Sequence, residues 1–271
     1  MKFKFLVILL GIIICTPVVH AQKKKKESFF KSMYLQWGYN KEWYTNSTLH
    51  FKMSNGNDFK LHNAKAHDAT DYDAIVKKPL QISIPQYNYR IGFYLNHAKT
   101  KALEINFDHA KYIVTDGQKV HVTGVIDGVQ VDGDSILNSN SFLHFEHTDG
   151  ANWLHINYVE QRTLINTKSS NRKLLTWLWK AGAGINIPRS DFTWRGDNMN
   201  NMFHIAGYNI SAESGFRIYP SKNFFLEFTG KSGFVHYLNA LANTETLKGN
   251  RVRHSFGYFE IIGTFGFDIN W

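Results

Sequence analysis

Residues 253–271 read RHSFGYFEIIGTFGFDINW, and this stretch decides the fold. From residue 259 onward the odd positions are nearly all large and apolar: Phe259, Ile261, Gly263, Phe265, Phe267, Ile269 and Trp271. The even positions are mostly polar or small: Glu260, Ile262, Thr264, Gly266, Asp268 and Asn270. Alternation with a period of two is typical of a β-strand with two different faces. Because a strand between lipid and a polar lumen needs this pattern, we predict a membrane-spanning strand.

The first 21 residues have the three parts of a secretory signal peptide. Lys2 and Lys4 form a basic start, and Phe5–Cys15 is a short apolar core. Val19-His20-Ala21 fits a cleavage site with small residues, so we predict cleavage after Ala21. The apolar run is too short for a spanning helix.

After cleavage we predict two parts, a basic periplasmic tail over residues 22–30 and a barrel over residues 31–271. The single cysteine of the chain would leave with the signal peptide. A closed barrel can do without disulfides, because each backbone group pairs with a neighbouring strand. The net charge of +9 becomes +7 once Lys2 and Lys4 are removed. In an exported barrel we interpret this charge as attraction to anionic lipid or lipopolysaccharide phosphates, and not to nucleic acid.

Eight segments of the chain alternate in this way, and they predict the fold class. They cover residues 31–40, 86–96, 102–113, 151–163, 172–187, 202–219, 223–237 and the terminal stretch. The connections between them are alternately short and long, with the long ones at 41–85, 114–150, 188–201 and 238–252. An even strand count with alternating connection lengths is typical of bacterial barrels with short periplasmic turns and long extracellular loops. We therefore predict an all-β, closed, antiparallel up-and-down transmembrane barrel of eight strands in the outer membrane.

Two of the long connections contain hairpin signals, which leave a barrel of 10–12 strands open. Thr48–Met53 and Asp58–His62 flank Asn55-Gly56, and Val120–Ile126 is followed by Asp127-Gly128. Asn-Gly and Asp-Gly accept the positive φ values of tight hairpin turns.

Charged residues recur at positions that the alternation assigns to the lumen. The predicted network comprises Arg90, Glu104, Asp108, Glu213, Arg217, Glu227, Lys231 and Glu260. An eight-stranded barrel is only wide enough for its own side chains, and buried charges have to be paired. The prediction is a lumen filled by ion pairs, and the alternative is a gated narrow pore.

Histidines and acids near the predicted barrel mouth are candidates for chemistry. His109, His147 and Asp149 flank one long connection, and an acid–His pair there could act as a general base. In the first long connection His62 and His67 precede Asp68, Asp71 and Asp73, a set that could bind a divalent metal. The spacing matches no compact motif, so we predict neither a metal site nor a cofactor.

The signal segment, the alternating strands and the aromatic C-terminal strand resemble small outer-membrane β-barrels of Gram-negative bacteria, of the eight-stranded OmpA/OmpX-like or OmpW-like class. The stretches Tyr87–Tyr94, Leu103–Tyr112 and His147–Tyr158 look like barrels from Bacteroidota. The resemblance implies that a terminal aromatic with apolar residues at alternate positions is recognised by the barrel-assembly machinery. It assigns that signal to Phe265, Phe267, Ile269 and Trp271.

The proteins that this chain resembles also include enzymes, but this chain does not match their motifs. Lipid A deacylase barrels have a His and a Ser two residues apart, whereas the nearest match here has His204 and Ala206. Lipid A palmitoyltransferase barrels use loop residues that no local motif identifies in this chain.

Three functions fit these observations. The first is a non-enzymatic barrel with a structural or surface-binding role, and it is our prediction. The second is a narrow porin-like channel for small solutes. The third is an enzyme that modifies lipid A or another outer-leaflet lipid with His109, His147 and Asp149.

Overall fold

The structure is a computed structural model that describes residues 29–69, 77, 86–147 and 149–270. The predicted signal peptide, most of the basic tail and Trp271 lie outside these residues. Within the described ranges, no helix is long and apolar enough to cross a membrane.

Seventeen strands form in the described part of the chain. They are β1 (Ser32–Tyr44), β2 (Ser47–Lys52), β3 (Asp58–Ala64), β4 (Ala66–His67), β5 (Tyr87–Tyr94), β6 (Lys101–His109), β7 (Tyr112–Val114), β8 (Lys119–Ile126), β9 (Val129–Ile136), β10 (Leu143–His147), β11 (Trp153–Asn166), β12 (Lys173–Asn186), β13 (Asp191–Trp194), β14 (Asp197–Asn200), β15 (Gly207–Ile218), β16 (Phe224–Leu241) and β17 (Arg251–Asn270).

Eight of these strands form a ring. They pair antiparallel in the order β1-β5-β6-β11-β12-β15-β16-β17, and β1 also pairs with β17 from Ser32↔Asn270 to Tyr44↔Tyr258. The predicted eight-stranded antiparallel barrel is therefore confirmed. The ring does not contain the 10–12 strands of the alternative prediction.

The ring is staggered. Register partners followed from Tyr34 around all eight strands lead back to β1 at Tyr44, ten residues further along. Closure of a sheet requires such a shear, because its strands tilt against the barrel axis.

The two faces of the ring follow the alternation predicted from the sequence. In β17 the even positions from Val252 to Asp268 point inward and are buried, whereas the odd positions are exposed or half-buried. The same alternation runs along β1, β5 and β6. Side chains of the ring therefore divide into an inner polar set and an outer apolar set.

The long connections all leave from one end of the ring, and the short turns from the other. The long ones carry β2–β4, β7–β10, β13 and β14, which we call the loop domain. Strands β2, β3, β8 and β9 extend the ring's sheet beyond β17, and β14-β13-β10-β7-β4 form a second sheet. Both predicted hairpins are present as β2–β3 and β8–β9, with Gly56 (φ 91°), Asp127 (φ 53°) and Gly128 (φ 76°) in the turns.

Several predicted strand limits were wrong. The segments predicted to end at residues 40 and 237 extend to Tyr44 and Leu241. The segment predicted to begin at residue 202 joins the ladder only at Gly207, and the backbone nitrogen of His204 donates instead to Pro188, beyond the end of β12. The segment predicted to reach residue 113 ends at His109, and Tyr112–Val114 forms part of the second sheet instead.

The loop domain has its own apolar core, which continues the upper interior of the ring. Phe51 on β2 packs against Phe59, and also against Phe145 and Phe192 of the second sheet, with ring centroids 5.3–5.7 Å apart. All four side chains are fully buried. Phe51 thereby joins the two sheets.

We predict that Phe51→Ala loosens the loop domain and leaves the ring intact. Removal of a buried phenyl ring costs about 3–5 kcal/mol in most cores. Limited proteolysis of the folded protein should therefore cut the loop domain of the variant much faster than that of the wild type. Val129→Ala, at a side chain that is 63% exposed, is the matched control. Equal cleavage of the two variants would show that Phe51 does not hold the sheets together.

Candidate functional site

The candidate site is a layer of charged side chains inside the ring. All eight predicted network residues point inward and are at most 4% exposed. They come from five different strands, so only closure of the ring brings them together.

Glu227 lies at the centre of this layer. Its carboxylate accepts hydrogen bonds from Arg217 Nε (2.7 Å), Lys180 Nζ (2.8 Å) and Gln36 Nε2 (2.9 Å). Arg90 also approaches it, with 3.3 Å between NH1 and Oε1. Three cations thus share one buried carboxylate.

Glu104 and Glu213 complete this part of the network. Glu104 accepts from Tyr34 Oη (2.7 Å) and Lys180 Nζ (3.1 Å). Glu213 accepts from Arg90 NH1 at 2.7 Å and lies 3.3 Å from Lys180. Arg90 and Lys180 therefore each contact more than one carboxylate, which offsets the large desolvation cost of burying these charges.

A second group of charges lies nearer the loop domain. Lys231 is paired with Asp108, and its ammonium lies 3.4 Å from Glu260. His155 Nε2 lies 3.4 Å from the same Asp108 carboxylate. Lys231 and Asp108 are 123 residues apart in sequence, so this pair depends on the ring.

Lys180 was not among the residues predicted from the sequence, although it is 1% exposed and contacts three of the predicted acids. A signal for it existed, because Trp177, Trp179 and Ala181 point outward and Lys180 alternates with them. Glu42 was also missed. It is buried opposite Glu260 and bonded to Asn40 and Gln86.

A glycine makes room for one of these contacts. The ring of Tyr34 lies over Gly92, where a β-carbon would come within 1.9 Å of the phenol ring. Because Gly92 has none, Tyr34 can cross the neighbouring strand and donate to Glu104.

The end of the lumen nearest the short turns is closed by aromatic side chains. Tyr34, Tyr94, Tyr219 and Phe225 form a buried cluster there. The Arg217 guanidinium carbon lies 4.0 Å from the Phe225 ring centre, and Arg217 NH1 donates to Tyr94 Oη at 3.0 Å. The charged layer thus has an aromatic layer on one side and the loop-domain core on the other.

The three rim residues predicted for catalysis have separate partners. His109 stacks on Tyr87 on the outer face of the ring, with its Nδ1 2.8 Å from Asn152 Oδ1. Asp149 pairs with Arg189 at 3.3 Å. No hydrogen bond or ion pair joins any two of His109, His147 and Asp149 among the residues described. The arrangement therefore lacks the His–carboxylate contact that a general base of this kind uses.

His147 is buried in the loop domain with two partners that the sequence did not indicate. Its Nδ1 lies 3.0 Å from Ser190 Oγ, and its Nε2 lies 3.2 Å from His254 Nε2. Burial lowers the pKa of His147 to about 3, so the imidazole is neutral at ordinary pH.

His62 and His67, in the long connection that we considered as a metal site, form hydrogen bonds with hydroxyl groups. His62 Nε2 lies 2.7 Å from Thr123 Oγ1, and His67 Nδ1 lies 3.0 Å from Thr115 Oγ1. Asp68 is paired with Lys41. Asp71 and Asp73 lie outside the described residues.

The predicted assembly-signal residues lie on the outer face of β17. Phe265, Phe267 and Ile269 are 36%, 50% and 40% exposed and are directly opposite Trp37, Leu35 and Met33 of β1. Trp271 lies outside the described residues, and the recognition role stays a prediction.

The ring and its layered interior define the fold class as a small, eight-stranded antiparallel β-barrel. Three of the solved structures to which this chain is similar are proteins of the bacterial surface or outer membrane. Neisserial surface protein A matches 88% of this chain and 97% of its own, with 8% identity and a TM-score of 0.38. OprG from Pseudomonas aeruginosa matches 89% and 97%, with 12% identity and a TM-score of 0.42. Ail of Yersinia pestis, solved with the heparin analogue sucrose octasulfate, matches 89% and 99%, with 12% identity and a TM-score of 0.33. No protein-family model matches the sequence, and no curated protein sequence matches it either.

We predict that Glu227→Gln strongly destabilises the barrel. The substitution leaves Arg217 and Lys180 buried without their shared counter-charge, which typically costs about 3–5 kcal/mol. Urea unfolding in detergent, followed by tryptophan fluorescence, measures the change. Glu245→Gln, at a side chain 73% exposed, is the control. A double variant with Arg217→Met should lose less than the sum of the two single changes, because the two residues contact each other. Strict additivity would contradict the pairing.

A pH-dependent contribution is expected from His144 on β10. Its Nε2 lies 3.1 Å from Glu146 and its Nδ1 lies 2.9 Å from Asp116, and hydrogen bonding to Glu146 is the main reason that its pKa rises to about 9. Because the folded pKa exceeds the unfolded value of about 6.5, the imidazolium stabilises the fold fully below that value. The stabilisation is lost as the pH rises through about 9. His144→Gln should therefore lower the loop domain's melting temperature at pH 6 and leave it unchanged at pH 10.5. A difference independent of pH would contradict this assignment.

Proposed function

We propose that this chain is an outer-membrane β-barrel with a closed lumen and a structural or surface-binding role carried by its loop domain. The observation that carries the proposal is a ring with an apolar outer wall and an interior of paired charges between two apolar layers.

The outer wall supports the membrane placement. Its large apolar side chains are exposed on every strand of the ring, among them Leu35, Tyr89, Ile91, Ile105, Ile156, Trp177, Ile210, Phe216, Phe228, Ile261 and Phe265. Soluble proteins rarely expose apolar patches of more than a few hundred Å². A continuous apolar band around a closed barrel is what lipid contact requires.

The interior supports a closed lumen. Arg90, Arg217 and Glu227 are each at most 1% exposed, so their charges are out of contact with solvent from either end. The aromatic cluster at the short-turn end and the loop-domain core at the other end cover them. A continuous water path through such layers would need their side chains to move apart.

In this proposal the long-connection end faces the outside of the cell and the short turns face the periplasm, as barrels of this class are arranged. The predicted partners follow from that placement. Outer-membrane lipid and lipopolysaccharide surround the apolar wall, and the barrel-assembly machinery recognises the outward ladder that ends at Trp271.

Conductance in planar lipid bilayers tests the closed lumen. Reconstituted wild-type protein should give no steady current, while a porin of known conductance inserted into the same bilayers gives one. A reproducible current carried by the purified chain would instead favour the narrow-channel function. Inner- and outer-membrane fractions separated from the expressing cells test the placement independently, and recovery in the soluble fraction would contradict it.

A further inference from the structure

Where β17 continues into the loop domain, the side chains on its outer face change from apolar to polar and basic. Going from lipid toward the outside along β17, the outward side chains are first Phe259, then Gly257 and Ser255, and finally Arg253 and Arg251. The two arginines therefore lie beyond the end of the band, at the level where lipid headgroups meet a barrel.

A basic cleft surrounds these arginines. Arg253 is the register partner of His50, and Arg251 is the register partner of Lys52. Together with Leu238 these residues line a cleft of about 220 Å³. One acid faces it, Asp58, which lies 2.5 Å from His50 and 3.8 Å from Lys52. Three permanent cations against one carboxylate leave the cleft positively charged.

An exposed apolar segment adjoins the cleft. Met202, Phe203 and Ile205 are 75%, 54% and 61% exposed, although they belong to no strand of the ring. The backbone nitrogen of Leu238 donates to Ala206 at 2.7 Å, so this segment lies beside the 49% exposed side chain of Leu238. Apolar side chains and the basic cleft thus form one continuous surface just above the lipid band.

We propose that this surface is a docking site for one phosphorylated glycolipid of the outer leaflet. Arg251, Arg253 and Lys52 bind the phosphates, since guanidinium groups match phosphate oxygens in pairs and keep their charge at every physiological pH. Leu238, Ile205 and Phe203 lie along an acyl chain. The chemistry favours a lipid over a soluble anion because the cations directly adjoin exposed apolar side chains and the lipid-facing band. The inference rests on the proposed membrane placement and adds the ligand class and its residues.

Native mass spectrometry of the full chain in neutral detergent tests the site, with bisphosphorylated lipid A as the probe. The double variant Arg251→Gln/Arg253→Gln should bind it at least about tenfold more weakly, because it loses two guanidinium groups that donate charge-assisted hydrogen bonds to the phosphates. The control Lys65→Gln/Arg195→Gln removes two cations from other parts of the loop domain and should bind as the wild type does. Circular dichroism and heat-dependent gel mobility confirm that both variants are folded.

Two further arms separate the parts of the proposal. Lipid A stripped of its phosphates should bind wild type and the arginine variant equally weakly, and Phe203→Ser/Ile205→Ser should weaken binding of the intact probe. Equal binding of the intact probe by the arginine variant and its control would overturn the phosphate site, and unchanged binding by the serine variant would overturn the acyl contact. These measurements use protein in detergent, so a failure of the membrane placement appears separately, as recovery of the chain in the soluble fraction of cells.

Discussion

The pairing of β1 with β17 is the constraint on which the rest of the structure depends. It runs the full length of β1 and leaves every strand of the ring with two neighbours. An open sheet of these strands would expose two unpaired edges, which in lipid would cost several kcal/mol for each unsatisfied backbone group. Closure removes that cost, and it also separates an inside too narrow for bulk water from an outside that is free to be apolar.

Closure explains why the inward charges form a network and not isolated pairs. Four cations (Arg90, Lys180, Arg217 and Lys231) meet carboxylates on neighbouring and facing strands within a few ångströms. Buried ion pairs contribute little net stability compared with an apolar core. Their effect here is on register, since a shift of one residue would exchange the two faces of a strand. In β16 such a shift would move Glu227 to the lipid side, so the network and the apolar wall specify the same register.

The sequence predicted what depends on local alternation and could not predict what depends on closure. The inward position of Arg90 and of Glu213 follows from the period of two, and the β2–β3 and β8–β9 turns follow from Asn-Gly and Asp-Gly. That Arg90 meets Glu213, 123 residues away, depends on the shear of ten residues, which no local pattern encodes. The second sheet was missed for the same reason, because its strands are short and pair only across connections. The position of His147 in the chain predicted that it lies at the barrel rim. The pairing of β10 instead points its side chain into the core of the loop domain, where it is buried.

A single strand shows how these requirements combine. From the end nearest the short turns toward the loop domain, β17 carries Phe265 on the apolar outer wall, Glu260 in the charged layer, His254 in the loop-domain core and Arg253 in the basic cleft. Because the strand is continuous over twenty residues, the loop domain is attached to the barrel without a hinge at this point. A ligand held by the loop domain or by the basic cleft would therefore keep a fixed position relative to the ring.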